Sequence, residues 1–425
     1  MKKLHHIHKF NLQVVSPLTI GSGAELSPYA DFFLRNGKAY YVNQQRIERK
    51  LEKEPHLIDV YVREIRRGMD NNRSDFDLYD FLEEELNIDT STFASAKVFG
   101  YSFEDDNSQQ KNEVKQIIRE AEKPYIPGSS LKGAIRTAML YDWLVNTPQG
   151  QKELHSLCDN VLKFSKLKAY SEWASYRKDG IDKKHPDWKK YLGLNKELEE
   201  DLKSLKRVVF NEAKLFGNIK DNPNLFSRDF IVRDSAPFEN TAIGIYAAAR
   251  IRRFDPTLSN QDNEIPLAAE AILPNTQTSF EVLVNTRQTF QGSHLSYLAE
   301  NSSIILLEQL AHFTKAVVVH EIKECRRSKT KTFDNEIKQL QEFYEQLDEK
   351  MSQGEYFLRI GASKTFFDNV LVLALFNFKG INEEQLREVY LHYGTIFGLQ
   401  SPYPITRTVT KIGHLPFGWV KIEKI

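Results

Sequence analysis

The stretch Pro124-Tyr-Ile-Pro-Gly-Ser-Ser-Leu-Lys-Gly-Ala-Ile-Arg-Thr-Ala-Met-Leu140 constrains this chain more than any other. Pro127 and Gly128 interrupt whatever precedes them, and Ser129 or Ser130 is placed to cap a helix by accepting bonds from backbone N–H groups. Leu131, Ile135 and Ala138 recur at helical spacing, so a helix starts here and buries that stripe. Lys132 and Arg136 are four apart and project together from another face. A helix start offers unpaired N–H groups and a partial positive charge. With Lys132 and Arg136 added, it makes a phosphate cradle. The lack of bulk at Gly128 and Gly133 lets a sugar-phosphate backbone approach closely. An ordinary capped helix with surface Lys and Arg accounts for the same residues, and on chemistry alone the two readings stand level.

Several chemistries are excluded. Gly128 to Gly133 has P-loop spacing, but Ala134 and Ile135 stand where the lysine and the hydroxyl belong, so the stretch is not an NTPase loop. No G-x-S-x-G or H-E-x-x-H pattern occurs. His6 and His8 share a strand face with no nearby Asp, Glu or Cys to complete a ligand set, and read as edge or surface histidines. Asp75, Asp77, Asp105 and Asp106 read as solvated loop residues. Neither a metal nor a cofactor is expected. Cys158 and Cys325 form no C-x-x-C pair and read as buried hydrophobes in a reducing cytoplasm. With 58 basic and 58 acidic residues there is no global pull toward nucleic acid, so any such binding comes from local patches. No stretch approaches the ~18 apolar residues of a membrane span, and Met1 to Val15 does not read as a signal peptide.

The 425 residues, 41% of them hydrophobic, suffice for two or three domains. Residues 4–15 read as a strand. Asn36-Gly37 between apolar runs predicts a hairpin of Asp31–Arg35 and Lys38–Val42. Residues 43–122 read as mostly helical, with 103–111 as an exposed connection, and 147–206 as polar and helical. A strand is expected in 226–237, ended by Asp234-Ser235 and Pro237. Phe280, Val282 and Val284 share one strand face within 269–285. Residues 301–324 and 332–351 read as helices, the second with Phe333, Ile337, Leu340 and Phe343 at helical spacing, and 383–393 as another. The tail has β-type patterning. Strands, helices and hairpins in this succession predict an α+β architecture rather than a regular parallel sheet.

Other cations are candidates for phosphate. Arg250, Arg252 and Arg253 cluster after a small-residue stretch, with a solvated helix end as the alternative. Arg326, Arg327, Lys329 and Lys331 are better explained as offsetting a helix C-terminal dipole. Arg359 and Lys364 flank Gly361, and Arg407 and Lys411 sit on one strand-like run. Tyr29, Phe32, Tyr40 and Tyr41 surround the first hairpin and can stack on unpaired bases, although core packing suits Phe32 better.

Ile126 to Thr137 resembles the hallmark loop and helix of RAMP proteins, the repeat-associated RNA-binding subunits of CRISPR systems. In the same order, Pro17 to Gly23 resembles the turn after the first RAMP strand. Asp229 to Ser235 resembles the second core strand with its Asp-Ser end, and Arg359 to Thr365 a weakened C-terminal glycine-rich loop. The length and the tail, Pro404-Ile-Thr-Arg and Gly418-Trp-Val, resemble the subunit that caps the backbone filament of the type III-A (Csm) complex. The resemblance implies an RRM-like (ferredoxin-like) core in residues 1–235 with helical insertions at about 43–122 and 147–225. A second, degenerate RRM-like domain in 236–425 would carry the glycine-rich loop.

It also implies a non-catalytic crRNA-binding subunit at the 3′-side end of the backbone, acting in crRNA maturation and antiviral defence. The expected RNA-contacting set is Gly128, Ser129, Ser130, Lys132, Gly133, Arg136, Arg250, Arg252, Arg253, Arg359 and Lys364. The implied partners are the crRNA, target RNA by proximity, the repeating backbone RAMP subunit, the small subunit and host trimming nucleases, in the cytoplasm and away from membranes. The family's backbone subunit cuts target RNA with an aspartate just before a Ser-Pro step. Here Leu26 precedes Ser27-Pro28, and Glu25 is out of register, which argues against cleavage. The alternative is a RAMP-superfamily endoribonuclease using Glu25, Asp31 or a histidine as general base.

Overall fold

A computed structural model describes residues 5–71, 77–100, 113–209, 215, 229–253, 267–285, 295–300, 302–362, 370–396 and 406–425. Its strands are β1 (His5–Val14), β2 (Gly21–Leu26), β3 (Phe32–Arg35), β4 (Lys38–Tyr41), β5 (Ser95–Phe99), β6 (Val114–Ile117), β7 (Arg119–Glu120), β8 (Lys123–Pro124), β9 (Phe230–Val232), β10 (Ile243–Arg252), β11 (Leu267–Ile272), β12 (Gln277–Asn285), β13 (Tyr356–Arg359), β14 (Thr406–Thr410) and β15 (Trp419–Lys424). The helices used below are α1 (Gln44–Lys53), α2 (His56–Asn71), α3 (Leu78–Asp80), α4 (Gly128–Asn146), α5 (Pro148–Ser165), α6 (Tyr170–Asp179), α7 (Trp188–Glu197), α8 (Glu199–Val209), α9 (Ser303–Arg326), α10 (Asp334–Ser352), α11 (Val370–Phe376) and α12 (Glu383–Ile396). The architecture is α+β, as expected.

In β1, Phe10, Leu12 and Val14 alternate with Asn11 and Gln13, so one side of the strand is apolar. The five-stranded sheet built around it runs β13-β15-β1-β12-β9, with every neighbouring pair antiparallel. Its inner face sets Phe10, Leu12 and Val14 beside Phe280, Val282, Val284 and Phe230, all buried in one core with the stripes of α4 and α9. Each such side chain contributes roughly 1.5–3 kcal/mol on burial. The shared face of Phe280, Val282 and Val284 is the one predicted.

The eight-stranded sheet runs β2-β6-β11-β10-β5-β4-β3, with β14 pairing the far half of β10. The β3–β4 hairpin turns at Asn36 and Gly37, whose φ of 50° and 72° are the positive values this tight turn requires. Helices α1 to α3 cover one end of this sheet with a separate small core of Tyr29, Phe33, Ile47, Leu57, Leu78, Phe81 and Leu82.

Three expectations change. Residues 43–122 are not only a helical insertion, because β5 and β6 within them are interior members of the eight-stranded sheet. The Arg250–Arg253 segment is no helix end: β10 runs to Arg252 and pairs there with β14. His6 and His8 do share a face, but His8 points inward and is buried instead of lying at the surface. Both sheets draw strands from either side of residue 235, so that boundary does not separate one sheet from the other. The expected connection at 103–111 lies outside the described residues. Cys158 and Cys325 are buried and free, and among the described residues no helix is long and apolar enough to cross a membrane.

Burial gives the fold an acid limit. It pushes His320 down to about 4, against the pull of Glu321 the other way, and also lowers His8 and His392. Each binds a proton more readily unfolded, near 6.5, than folded. Stability is therefore intact above about pH 6.5 and is lost as pH falls toward the lowered folded value. His320 alone should remove about 2 kcal/mol between about pH 7 and about pH 5. Urea unfolding at both pH values checks this, and in His320→Gln the fall should shrink by that amount.

Candidate nucleic-acid interface

Helix α4 starts differently from the expectation. Its N-cap is Pro127, and neither Ser129 nor Ser130 supplies a side-chain cap. The carboxylate of Asp234 takes that place, accepting from the Gly128 N–H at 2.6 Å. Beside it, the Ile126 N–H donates to Ser235 Oγ at 2.9 Å, and the Ser235 N–H donates back to the Ile126 carbonyl at 2.9 Å. A Cβ on Gly128 would overlap the Val232 carbonyl oxygen and press on the Arg233 carbonyl carbon at 2.7 Å. The glycine is thus required by the chain's own β9, and an anion of the chain already sits at the helix N-terminus. Lys132 likewise turns toward β9: its ammonium donates to the Phe230 carbonyl, and burial, with Arg136 nearby, lowers its pKa.

What α4 leaves outward is a narrower strip. Ser129, Gly133 and Arg136 are exposed, and Thr137 is half-buried. Spacings of four and three put them on one helix face. Among the described residues, nothing beyond the helix's own neighbouring turns lies within 4 Å of a Cβ built on Gly133, so the strip is smooth there. A smooth helical face with a cation along it lets a sugar-phosphate strand lie close and pair with Arg136.

The other candidates divide by burial. Arg250 is exposed and Arg252 half-buried on β10. Arg253 is only 4% exposed and pairs with Glu324, and Arg359 is 6% exposed and donates to the Phe417 carbonyl at 3.1 Å. Both are inside the fold because α9 and the tail enclose them. Arg407 is buried too, its Nε 2.7 Å from Glu321 Oε2. Lys364 lies outside the described residues. Tyr29 and Phe32 are core, Tyr40 stacks on Phe33, and Tyr41 donates to buried Glu270 at 2.6 Å.

Two motif junctions emerge. Gly128 meets the Asp229–Ser235 segment as above. The Pro17 turn, Arg359–Ala362 and Gly418 meet at the other junction. The Gly418 N–H donates to Pro17, the Ile360 N–H to Gly418, and the Ala362 N–H to Thr19, each at 2.9 Å.

Among the described residues the outward face of β1 and β12 carries Ile7, Lys9, Asn11, Ser279, Glu281 and Leu283, none of them aromatic, so these six offer no base-stacking platform of the RRM kind. Sequence reasoning passed over Lys38, Lys97 and Phe99, which the eight-stranded sheet sets near one another on one face. The signal available was the alternation Ser95-Ala-Lys-Val-Phe99, hidden in a segment read as helical.

The residues named for cleavage have other engagements. Asp31 accepts from the Ser27 N–H at 2.7 Å within its own turn. Glu25 bonds to Glu113, whose pKa that bond raises. Among the described residues no group of three or more His, Cys, Asp or Glu is disposed to hold a metal.

The sequence profile of the RAMP superfamily matches residues 11–367. The chain belongs to the RAMP superfamily. Within it, the chain is similar to the CRISPR system Cms protein Csm5 of Methanocaldococcus jannaschii, 29% identical over 187 residues, which are 44% of this chain and 41% of that one. It is also similar to Csm5 of Streptococcus thermophilus, 26% identical over 294 residues, or 67% of this chain and 66% of the relative. The matched region spans less than two thirds of either relative.

Among solved structures, a chain of a Csm–crRNA–target RNA ternary complex from a type III-A CRISPR-Cas system superposes with a TM-score of 0.64 at 25% identity, covering 98% of this chain and 100% of that one. The crystal structure of T. onnurineus Csm5 shares the fold, with a TM-score of 0.58 at 24% identity over 96% and 99% of the two chains.

Proposed function

We propose that this chain is a non-catalytic crRNA-binding subunit of a type III-A CRISPR ribonucleoprotein, located at the 3′-side end of its backbone and needed for crRNA maturation. The observation that carries the reading is the outward strip Ser129, Gly133, Arg136 on the superfamily's hallmark helix. Likeness along nearly the whole length to a chain of a Csm–crRNA–target RNA complex supports it. Guide and target RNA, the repeating backbone subunit and the small subunit are its partners, and trimming nucleases are recruited nearby, in the cytoplasm. The order strand, α4, β9, β12, α9, strand around one antiparallel sheet supports a ferredoxin-like reading of that sheet, with β15 in the position beside β1. Sequence is read by guide–target pairing, so affinity for single strands is salt-dependent and weakly selective.

Of the earlier set, Ser129, Gly133, Arg136, Arg250 and Arg252 are the residues proposed to meet RNA. Gly128, Lys132, Arg253 and Arg359 hold the scaffold that presents them.

A tagged copy expressed beside its partner subunits and a CRISPR array should co-purify with them and a short RNA of uniform length. Recovery of the chain alone contradicts the proposal. Purified chain incubated with labelled RNA, with or without divalent metal, should leave it intact. Cutting that disappears in Asp31→Ala would favour the endoribonuclease alternative.

A further inference from the structure

We propose that the outward face of β4, β5 and β10 is a second single-stranded RNA site, where Lys38, Lys97 and Arg250 take phosphates and Phe99 takes a base. The inference rests on the RNA-binding reading above and adds a further segment to the strand's path over this chain.

Lys38 stands directly opposite Lys97 across β4 and β5, and Arg35 directly opposite Lys38 across β3 and β4. Paired residues share a face, so three cations form a row. Arg35 is answered by Asp77 at 2.8 Å and Asp80 at 3.4 Å. Lys38 and Lys97 are exposed, and among the described residues neither makes an ion pair. Like charges directly opposite each other destabilise a sheet. An anion laid between them turns that cost into an attraction.

Next to this row lies an aromatic. Phe99, two residues past Lys97, faces Tyr246 across β5 and β10, the rings stacked with centroids 4.5 Å apart and planes 11° from parallel. Tyr246 is buried, whereas Phe99 stays half-exposed. Its ring reaches over Gly244, the residue opposite Lys97, where a Cβ would come within 2.9 Å of it. Alternation along β10 then puts Arg250, exposed, on the face of Gly244 and Tyr246, about 20 Å beyond Gly244 at ~3.3 Å per residue. Lys411, also exposed, starts beside Gly100 at the end of β5. Toward the other edge of the sheet Lys115 stands directly opposite an acidic residue, Glu25, across β2 and β6.

Cations on either side of a half-exposed ring fit a single strand, whose phosphates meet the cations and whose unpaired bases stack on the ring. A duplex hides its bases, and an acidic peptide leaves the ring without a partner.

Full-length chain and a fluorescent single-stranded oligouridylate of about 20 nucleotides provide the test, with affinity measured against salt. Lys38→Gln with Lys97→Gln should lower the slope of log affinity against log salt by about 1.4, two contacts at about 0.7 each. Phe99→Leu should weaken binding about fivefold or more with the slope unchanged. Arg136→Gln, on the α4 strip, should lower the slope separately by about 0.7. The double lysine variant should melt no lower than the parent, since the repulsion is gone. A parental slope in that variant, with Arg136→Gln still reducing it, overturns this site and leaves the α4 reading standing. Absence of binding by the parent overturns both. A lowered melting temperature removes the like-charge argument. Loss of a partner subunit with an unchanged RNA slope reassigns the face to protein and overturns the inference.

Discussion

Gly128→Ala is expected to destabilise the chain by about 3 kcal/mol or more, while Gly133→Ala should be neutral or stabilise it by about 0.5–1 kcal/mol. The two glycines lie five positions apart at the start of one helix, and propensity alone would favour alanine at both. Their surroundings differ. At 128 a methyl group meets backbone, the Val232 and Arg233 carbonyls, which move only if β9 moves. β9 is held by β12 through Val282, Leu283 and Val284, and the turn is held by Asp234 and Ser235. Displacing it disturbs the packing of α4 on the five-stranded sheet. At 133 a methyl group meets nothing among the described residues beyond its own helix. Urea unfolding of both variants separates the cases, and equal effects would contradict the packing described. In the assembled particle the order of importance should reverse in kind: Gly133→Glu folds but retains less RNA, because it adds bulk and negative charge to the strip.

Glu321→Ala is the second large effect, a loss of about 3–5 kcal/mol. Glu321 is wholly buried on α9 and Arg407 is 4% exposed on β14. Despite burial, the guanidinium holds the Glu321 carboxyl below the ordinary carboxylate range. One helical turn on, Glu324 grips Arg253 just beyond the end of β10 in the same way. α9 therefore fastens β14 and the end of β10, two strands already paired, through a buried carboxylate to each. Removing one carboxylate takes a directly bonded anion away from a buried guanidinium, which costs far more than the pair contributes net. Glu321→Leu combined with Arg407→Met should recover most of the loss. A double variant as unstable as the sum of the singles would contradict the ion-pair account.

Local features of this fold were legible in the sequence, and long-range ones were not. The stripe Leu131, Ile135, Ala138 is buried as its spacing required, and Asn36-Gly37 makes the turn its chemistry demanded. Those signals lie within a few residues of each other. The serine cap failed because a stronger acceptor, Asp234, arrives from more than a hundred residues away. Gly128 looked like a place for a ligand, and the neighbour that needs its small size is a carbonyl on β9. Arg253, Arg359 and Arg407 look like surface cations in sequence. Arg253 and Arg407 turn inward to Glu324 and Glu321, which become visible as partners only once α9 is laid against β10 and β14, and Arg359 turns inward to the Phe417 carbonyl of the tail. β5 was lost in a charged, helical-looking stretch, and with it the row of lysines on the eight-stranded sheet. The superfamily motifs were legible as a pattern, while their physical content, two junctions where turns lock against strand ends, belongs to the tertiary structure.

Ultraviolet crosslinking of the assembled particle, with the crosslinked peptides mapped, bears most directly on whether the outward face of α4 holds guide RNA. Crosslinks to the guide within Ser129–Thr137, diminished in Arg136→Glu, are the predicted outcome. Guide crosslinks elsewhere on this chain with none in that segment would contradict it.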